Sequence, residues 1–183
     1  MPDLIFISII TMDTQQLRSI QAPLKEKYKE NPESALVTLK AQGKPGEGIT
    51  CRLETGKTLV EAGLHPATGG DGLSVCSGDM LLEALVACAG VTLMAVATSI
   101  EFKLNDALVT AEGDIDFRGT LSISKEAPVG VKNIRLIFDL NTEEDKEKID
   151  KLIKLTERYC VVYQTLINSP ELNTSCNIIR PAS

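Results

Sequence analysis

Residues 84–100 read ALVACAGVTLMAVATSI, a run of 17 residues without a charge, and this run decides the fold. A membrane-spanning helix needs about 20 apolar residues, so the run is short for that purpose. Acidic Glu83 and Glu101 adjoin it, in place of the basic residues that orient a membrane helix. A helix that is apolar on every side belongs in the centre of a fold. We therefore predict a buried central helix rather than a membrane span.

Small side chains recur along this helix and allow other backbones to approach it closely. They are Ala84, Ala87, Ala89, Gly90, Ala95 and Ala97. A chain of 183 residues has difficulty surrounding such a helix by itself. We therefore predict that a second copy of the chain covers part of it, which makes the protein a homodimer.

The sequence before the central helix predicts one helix and a small sheet. Residues 15–30 have the spacing of a charged amphipathic helix, which Pro23 is expected to interrupt or bend. Three antiparallel strands are predicted at 35–41, 49–54 and 58–62, with a turn at 43–48. The 67–74 segment, ATGGDGLS, is predicted to be a loop that leads into the central helix.

The sequence after the central helix predicts more strands and a second strong helix. Strands are expected at 108–120, 121–125 and 131–140, and a last one at 172–179. Thr142 and Asp145 resemble a capping box at the start of a helix that runs towards Tyr159 and Cys160. A short helix is expected at 161–167. A strand-rich layer packed on two principal helices predicts a single α+β domain over 17–183, after an N-terminal extension at 1–16.

The composition of the chain bears on which partners it can bind and on where in the cell it is located. The chain carries 19 Lys and Arg against 25 Asp and Glu, a net charge of −6, so it lacks the basic face of a nucleic-acid or membrane-surface binder. Five cysteines without a Cys-x-x-Cys pair, and one histidine, do not suggest a disulfide framework or a structural zinc site. No basic leader precedes the apolar start, so we predict a cytoplasmic protein with free thiols.

Cys88 and Cys160 are the candidate reactive residues. Cys88 lies in the middle of the apolar helix, where a free cysteine commonly serves as a small core residue. Cys160 ends the second strong helix and begins the 161–167 helix, whose dipole is expected to lower the pKa of its thiol. Both cysteines lie on core-facing helices, so the fold can bring them together. Periodicity alone does not show that they meet.

Two motifs, taken together and in order, resemble the OsmC/Ohr family. SGDMLLEALVACAGVTLMAVA at 77–97 resembles the family's central-helix signature, and ERYCVVYQTL at 157–166 resembles its second cysteine motif. The GGDG loop at 69–72 and the 17–38 segment are similar to one branch of the family. The resemblance extends from residue 17 to the last predicted strand. It implies an OsmC-like α+β fold, with antiparallel sheets packed on two central helices in an intertwined homodimer.

The resemblance implies a thiol-dependent peroxidase that reduces organic hydroperoxides. By matching position, Cys88 is the peroxidatic thiol, which attacks the O–O bond and becomes a sulfenic acid. Cys160 is the resolving thiol, which forms a disulfide with Cys88 that an external dithiol then reduces. No metal or other cofactor is required. Apolar surroundings are expected to favour organic peroxides over hydrogen peroxide.

An apolar helix is a poor place for a nucleophilic thiol, because burial raises its pKa. Cys88 therefore needs a nearby cation or hydrogen-bond donor. The better-studied branches of the family use an Arg held by a Glu, and Arg52 is the candidate cation because it lies on a predicted strand ahead of the helix; the alternative is a solvated surface arginine. His65 can take the place of Arg52, although a His in a loop beside Pro66 is more often structural or solvated. Asp79 stands at one of the family's acidic positions, where it can equally be a helix N-cap, and Gly78 stands at the other.

Gly78 has no side chain at a position where the family carries an acidic residue, so a second function is also considered. The same dimer can be a small-molecule-binding or redox-responsive protein with little peroxidase activity. Of the other cysteines, Cys51 and Cys176 are interpreted as packing residues in strands. Cys76 is interpreted as an accessible thiol in the loop before the central helix.

Overall fold

A computed structural model of the chain describes residues 12–31, 42–45, 50–54 and 59–178. Within these ranges the chain forms an α+β fold, as predicted. The helices are α1 (Thr14–Glu30), α2 (Ser77–Ser99), α3 (Phe117–Thr120), α4 (Lys146–Tyr159) and α5 (Val161–Ile167). The strands are β1 (Gln42–Pro45), β2 (Thr50–Glu54), β3 (Leu59–Gly63), β4 (Val75–Cys76), β5 (Asp106–Asp114) and β6 (Lys132–Asn141).

The strands form two small sheets on either side of α2 in the sequence. In the first sheet β1, β2 and β3 are antiparallel neighbours, and β4 pairs with β3 in parallel. β4 is only two residues long and leads directly into α2, so it attaches this sheet to the helix. In the second sheet β5 and β6 form a long antiparallel pair, with a register irregularity between Glu112 and Asp114.

Helix α2 is the packing centre of the fold, because β5, α4 and α5 all pack against it. Its second half forms a core with Phe102, Leu104 and Leu152, all of which are buried. Its first half forms a second cluster around Leu85 and Ala89. By length and composition alone α2 could cross a membrane, but the core helix of a soluble protein passes the same test. Its packing contacts agree with the predicted central helix.

One side of α2 stays exposed on the single chain, which agrees with the expectation that one chain has difficulty surrounding this helix by itself. Ala84, Ala87 and Val91 follow the i, i+3, i+7 spacing of one helical face, and Val91 is 73% exposed. The elements packed against α2 cover only its other side. We call Ala84, Ala87 and Val91 the exposed stripe of α2.

The region before α2 agrees with the sequence analysis in part. The predicted amphipathic helix is α1, which continues through Pro23, and it begins at Thr14, inside the predicted N-terminal extension. Two predicted strands correspond to β2 and β3. The predicted turn is wrong for 43–45, because these residues form β1 and pair with β2. The predicted strand at 35–41 lies outside the described residues.

The region after α2 requires four corrections. The strand predicted at 108–120 ends at Asp114, because the Asp116 side chain caps the short helix α3, and no strand forms at 121–125. The N-cap of α4 is Asp145, which accepts a hydrogen bond from the Lys148 N–H at 2.9 Å. The strand predicted at 172–179 is absent over 172–178, the part that the structure describes.

Candidate active site

Cys160 lies at the junction of two helices. Its N–H donates to the Thr156 carbonyl at 2.9 Å and so closes the last turn of α4. Its own carbonyl accepts from the Gln164 N–H at 2.9 Å and so opens α5. Its backbone is extended rather than helical, which lets the chain change direction between the helices. The junction directs the start of α5 towards the middle of α2.

The two candidate thiols meet at this junction. Cys88 packs against the cluster formed by Leu85, Ala89 and Cys160, and the two thiols are close enough for each to shift the pKa of the other. Val162 and Tyr163 of α5 pack against the same cluster. Both cysteines are free thiols. Two residues 72 positions apart in the sequence thus become neighbours within one protomer.

The surroundings of Cys88 favour its thiolate. Burial raises the pKa of the Cys88 thiol, but hydrogen bonds to its sulfur lower the pKa by more, so the net direction is down. The strongest of these involve the Val162 N–H, the Cys160 thiol and the Val161 N–H, in that order. The Thr92 hydroxyl donates to the Cys88 carbonyl at 2.7 Å. A nucleophilic thiol at Cys88 needs a nearby cation or hydrogen-bond donor, and backbone groups of α5 supply that donor.

The predicted pKa of Cys160 is wrong in direction. Burial raises the pKa of the Cys160 thiol, and its hydrogen bond to Cys88 and the charge there raise it further. Hydrogen bonds from the N–H groups of Tyr163 and Val162 only partly offset this. The predicted short helix is present, but its first N–H groups favour the Cys88 thiolate over that of Cys160. Of the two thiols, therefore, Cys88 ionises more readily and Cys160 keeps its proton longer.

These opposite shifts predict the pH dependence of alkylation. A lowered pKa keeps Cys88 ionised at a pH where an ordinary thiol is protonated, so iodoacetamide should label Cys88 with a midpoint below that of a free cysteine peptide. Quantitative peptide mapping across the pH range measures both midpoints. Thr92→Val is the matched control: the Thr92 hydroxyl donates to the Cys88 carbonyl rather than to its sulfur, so its midpoint should change little. A Cys88 midpoint above that of the free peptide would contradict the assignment.

Asp79 and Gly78 lie at the start of α2, away from the thiol pair. Asp79 is exposed in the first turn, nine residues before Cys88, which is about 14 Å along the helix axis and on its opposite side. A Cβ at Gly78 would lie 3.1 Å from Ile115 Cδ1, so the glycine leaves room for this contact. One protomer therefore does not bring its Asp79 to its own Cys88.

Arg52 lies on β2, where its backbone pairs with Lys44 on β1 and Glu61 on β3. Its side chain is outside what the structure describes, so its role as the activating cation stays a prediction. The His65 Nδ1 accepts a hydrogen bond from the Ala67 N–H at 3.0 Å, and the His65 ring stacks on Phe117 at 4.8 Å. These contacts support the structural interpretation of His65.

The remaining cysteines are separate from this pair in the sequence and differ in exposure. Cys76 is half-buried at the N-cap of α2, so it is less accessible than predicted. Cys176 is exposed, so its interpretation as a packing residue is wrong. Cys51 lies on β2, and its side chain is not among those described. In the described part of the chain, no three His, Cys, Asp or Glu residues form a group that could hold a metal ion.

The functional groups that sequence reasoning missed are the N–H groups of Val161 and Val162. Backbone donors carry no residue signature, so nothing in the sequence could have identified them.

Comparisons with known proteins agree with this architecture. The sequence profile described as "OsmC-like protein" matches residues 69–175, more than half of the chain. The OsmC-like protein from Mycoplasma pneumoniae is 15% identical, with a TM-score of 0.62 over 73% of this chain and 89% of that one. An organic hydroperoxide resistance protein from Elizabethkingia anophelis is 17% identical, with a TM-score of 0.59 over 73% and 91%.

The organic hydroperoxide resistance protein of Bacillus subtilis is 16% identical, with a TM-score of 0.52 over 73% of this chain and 93% of that one. At these identities the structural likeness shows the fold. No curated protein matches the sequence. The matched range contains both cysteine motifs, and with it the resemblance inferred from them is confirmed: the chain belongs to the OsmC-like protein family.

Proposed function

We propose that the protein is a thiol-dependent peroxidase that reduces organic hydroperoxides. The observation that carries the proposal is the packing of the free thiols of Cys88 and Cys160 in one cluster, where the pKa of the first is lowered and that of the second is raised. A thiolate beside a protonated thiol matches the two successive steps of such a reaction. Among the solved proteins with similar folds are organic hydroperoxide resistance proteins, which supports a hydroperoxide as the substrate.

In the first step the Cys88 thiolate attacks the outer oxygen of the hydroperoxide. The O–O bond breaks, an alkoxide leaves and takes up a proton to become the alcohol, and Cys88 becomes a sulfenic acid. In the second step the Cys160 thiol attacks the Cys88 sulfur, a disulfide forms and water leaves. An external dithiol then reduces the disulfide. No metal or cofactor takes part.

The proposed substrate is apolar because the thiol pair has apolar neighbours. Val109, Ile134, Leu136, Phe138 and Leu166 pack against the cluster that holds Cys160. Apolar contacts of this kind discriminate by about 1–3 kcal/mol, or roughly 10–200-fold, between ligands that differ in one small group. An organic hydroperoxide is therefore expected to react at least ~10-fold faster than hydrogen peroxide.

The exposed stripe of α2 supports the proposed homodimer. Leu108 and Ile137, on the second sheet, add exposed apolar surface, and Leu108 is 63% exposed. A second copy that covers these residues removes apolar surface from water, which is favourable. Participation of Asp79 beside Cys88 requires an Asp79 from that second copy. Arg52 remains the proposed activating cation, and the cytoplasm, where thiols stay reduced, remains the proposed location.

A titration tests the function directly. One equivalent of cumene hydroperoxide added to the reduced protein should consume two thiols and form a Cys88–Cys160 disulfide, which peptide mapping identifies. Cys176→Ser is the matched control, because Cys176 is an exposed thiol outside the pair and its loss should leave the stoichiometry unchanged. Unchanged peroxide, or a disulfide that excludes Cys88, would contradict the proposal.

A small-molecule-binding function is the second candidate, and a cavity beside the thiol pair favours it. The cavity has a volume of about 390 Å³ and mixed walls. Leu85, Leu136, Tyr163 and Leu166 also belong to the thiol cluster or pack against it, and the polar residues on the walls are Lys132, Asn133 and Glu157. Small-molecule sites are commonly cavities of ~300–1,000 Å³ that combine apolar walls with a few polar groups. A small apolar molecule that raises Tm, together with no peroxide turnover, would favour this function over the first.

A further inference from the structure

The two sulfurs of the pair differ in accessibility. Cys160 is 0% exposed, whereas Cys88 is partly exposed. Buried Leu85 and Ala89 belong to the same cluster as Cys160, and Tyr163 and Leu166 pack against it. All of these residues belong to the same protomer. Cys88 lies between this buried cluster and the exposed stripe of α2, so solvent reaches the pair from the Cys88 side.

Association with a second copy does not reverse this order. A partner that covers the exposed stripe can reduce the exposure of Cys88, but it cannot uncover a side chain that its own protomer has already enclosed. Cys160 is therefore the inaccessible sulfur of the pair whether the protein is a monomer or a dimer.

Thiol–disulfide exchange depends on access as well as on reactivity. The attacking thiolate approaches one sulfur of a disulfide from the side opposite the sulfur that leaves, and access selects which sulfur is attacked. An attack on Cys160 requires the reductant to enter through the buried cluster. An attack on Cys88 comes from the exposed side, with Cys160 as the inner, departing sulfur.

We propose that the external dithiol that restores the thiols attacks the Cys88 sulfur, so the mixed disulfide of the reductive step forms on Cys88. This inference rests on the proposed function, because it concerns the disulfide that the peroxide reaction forms. It assigns both halves of the cycle to one accessible sulfur, which first meets the peroxide and then the reductant.

The dithiol reduces the Cys88–Cys160 disulfide in two successive exchanges. One thiolate of the dithiol bonds to the Cys88 sulfur, the Cys88–Cys160 bond breaks, and Cys160 leaves as a thiolate that takes the proton of the reductant's second thiol. That second sulfur then attacks the reductant's first sulfur, and Cys88 leaves as a thiolate. The dithiol loses two electrons and becomes a disulfide, and the protein gains two electrons and recovers both of its sulfhydryl groups.

The leaving-group pKa values alone favour the opposite order. Cys88, whose thiol has the lowered pKa, is the better leaving group, which favours attack on the Cys160 sulfur. The enclosure of Cys160 opposes that attack, so access decides which sulfur the dithiol reaches. In the second exchange the lowered pKa of Cys88 assists its departure.

A trapping experiment tests the assignment. The experiment uses the Cys176→Ser variant, from which the exposed Cys176 thiol has been removed. The variant is oxidised with diamide, so that the disulfide forms without any peroxide chemistry. N-acetylcysteine is added, samples are acidified at successive early times, free thiols are alkylated, and mass spectrometry locates the N-acetylcysteine adduct. Extrapolation to zero time removes later exchange. We expect at least tenfold more adduct on Cys88 than on Cys160.

Equal adducts, or a predominant adduct on Cys160, would overturn the inference, and so would failure of diamide to join Cys88 to Cys160. The outcome is separable from the proposed function. An adduct on Cys88 in a protein that does not consume hydroperoxide would retain this inference while removing the peroxidase assignment. Peroxide turnover with an adduct on Cys160 would do the reverse.

Discussion

Cys88→Ser is expected to abolish hydroperoxide consumption. The substitution removes the thiol whose ionisation the Val161 and Val162 N–H groups favour, and a serine hydroxyl in the same place stays protonated and does not attack the O–O bond. Loss of a catalytic nucleophile costs several orders of magnitude, so we expect a fall of ~10³-fold or more, to the rate without protein. Consumption of cumene hydroperoxide in the presence of dithiothreitol measures it.

The matched control for Cys88→Ser is Cys176→Ser, which removes an exposed thiol and should keep the full rate. The oxygen atom of serine is smaller than sulfur, so Cys88→Ser should keep the fold, which circular dichroism verifies. If Cys88→Ser consumed hydroperoxide as fast as the unmodified protein, Cys88 would not be the peroxidatic residue.

Cys160→Ser has the second large effect, and it falls on the second step. The first step should proceed within ~10-fold of the normal rate, because the N–H donors at Cys88 remain and the serine hydroxyl can replace the lost S–H donor. No thiol then stands beside the sulfenic acid on Cys88. One hydroperoxide should therefore consume one thiol instead of two, and the sulfenic acid should accumulate.

Dimedone, which reacts with sulfenic acids, measures this accumulation when peptide mapping locates its adduct on Cys88. The unmodified protein should give little adduct, because Cys160 captures the intermediate first. With excess hydroperoxide the variant should proceed to the irreversible sulfinic acid. A variant that still consumes two thiols per peroxide would show that another cysteine, and not Cys160, resolves the intermediate.

The sequence predicts the pairing of the thiols better than their chemistry. The uncharged helix around Cys88 and the amphipathic helix that ends at Cys160 both face the core, so the sequence predicts that they pack in one core. The two family motifs contain the same two cysteines. Which thiol ionises depended on a tertiary contact. The first N–H groups of α5 affect the pKa of both thiols. Only the packing of α5 against α2 determines that the N–H groups of Val161 and Val162 donate to Cys88.

The sequence patterns also gave wrong element boundaries where the side chain of a short polar residue caps a helix. The alternation after Asp114 resembles a strand, yet Asp116 binds the Arg118 N–H at 3.2 Å and starts a helix instead. Thr142 resembles an N-cap, but its hydroxyl donates to the Lys103 carbonyl at 2.6 Å, so Asp145 caps α4. The roles of Arg52 and Asp79 depend on side-chain placement and on a second protomer, which alternation and spacing do not encode.

The position of Cys160 between α4 and α5 has a consequence for durability. A bond from there to Cys88 closes a covalent ring that contains β5, β6 and α4, which is much of the core. Polymer estimates for a ring of about 70 residues give ~4 kcal/mol of stabilisation, because the unfolded chain loses freedom. Oxidation would therefore leave the molecule more resistant to heat and proteases, and each reduction by the dithiol would return it to its less robust form.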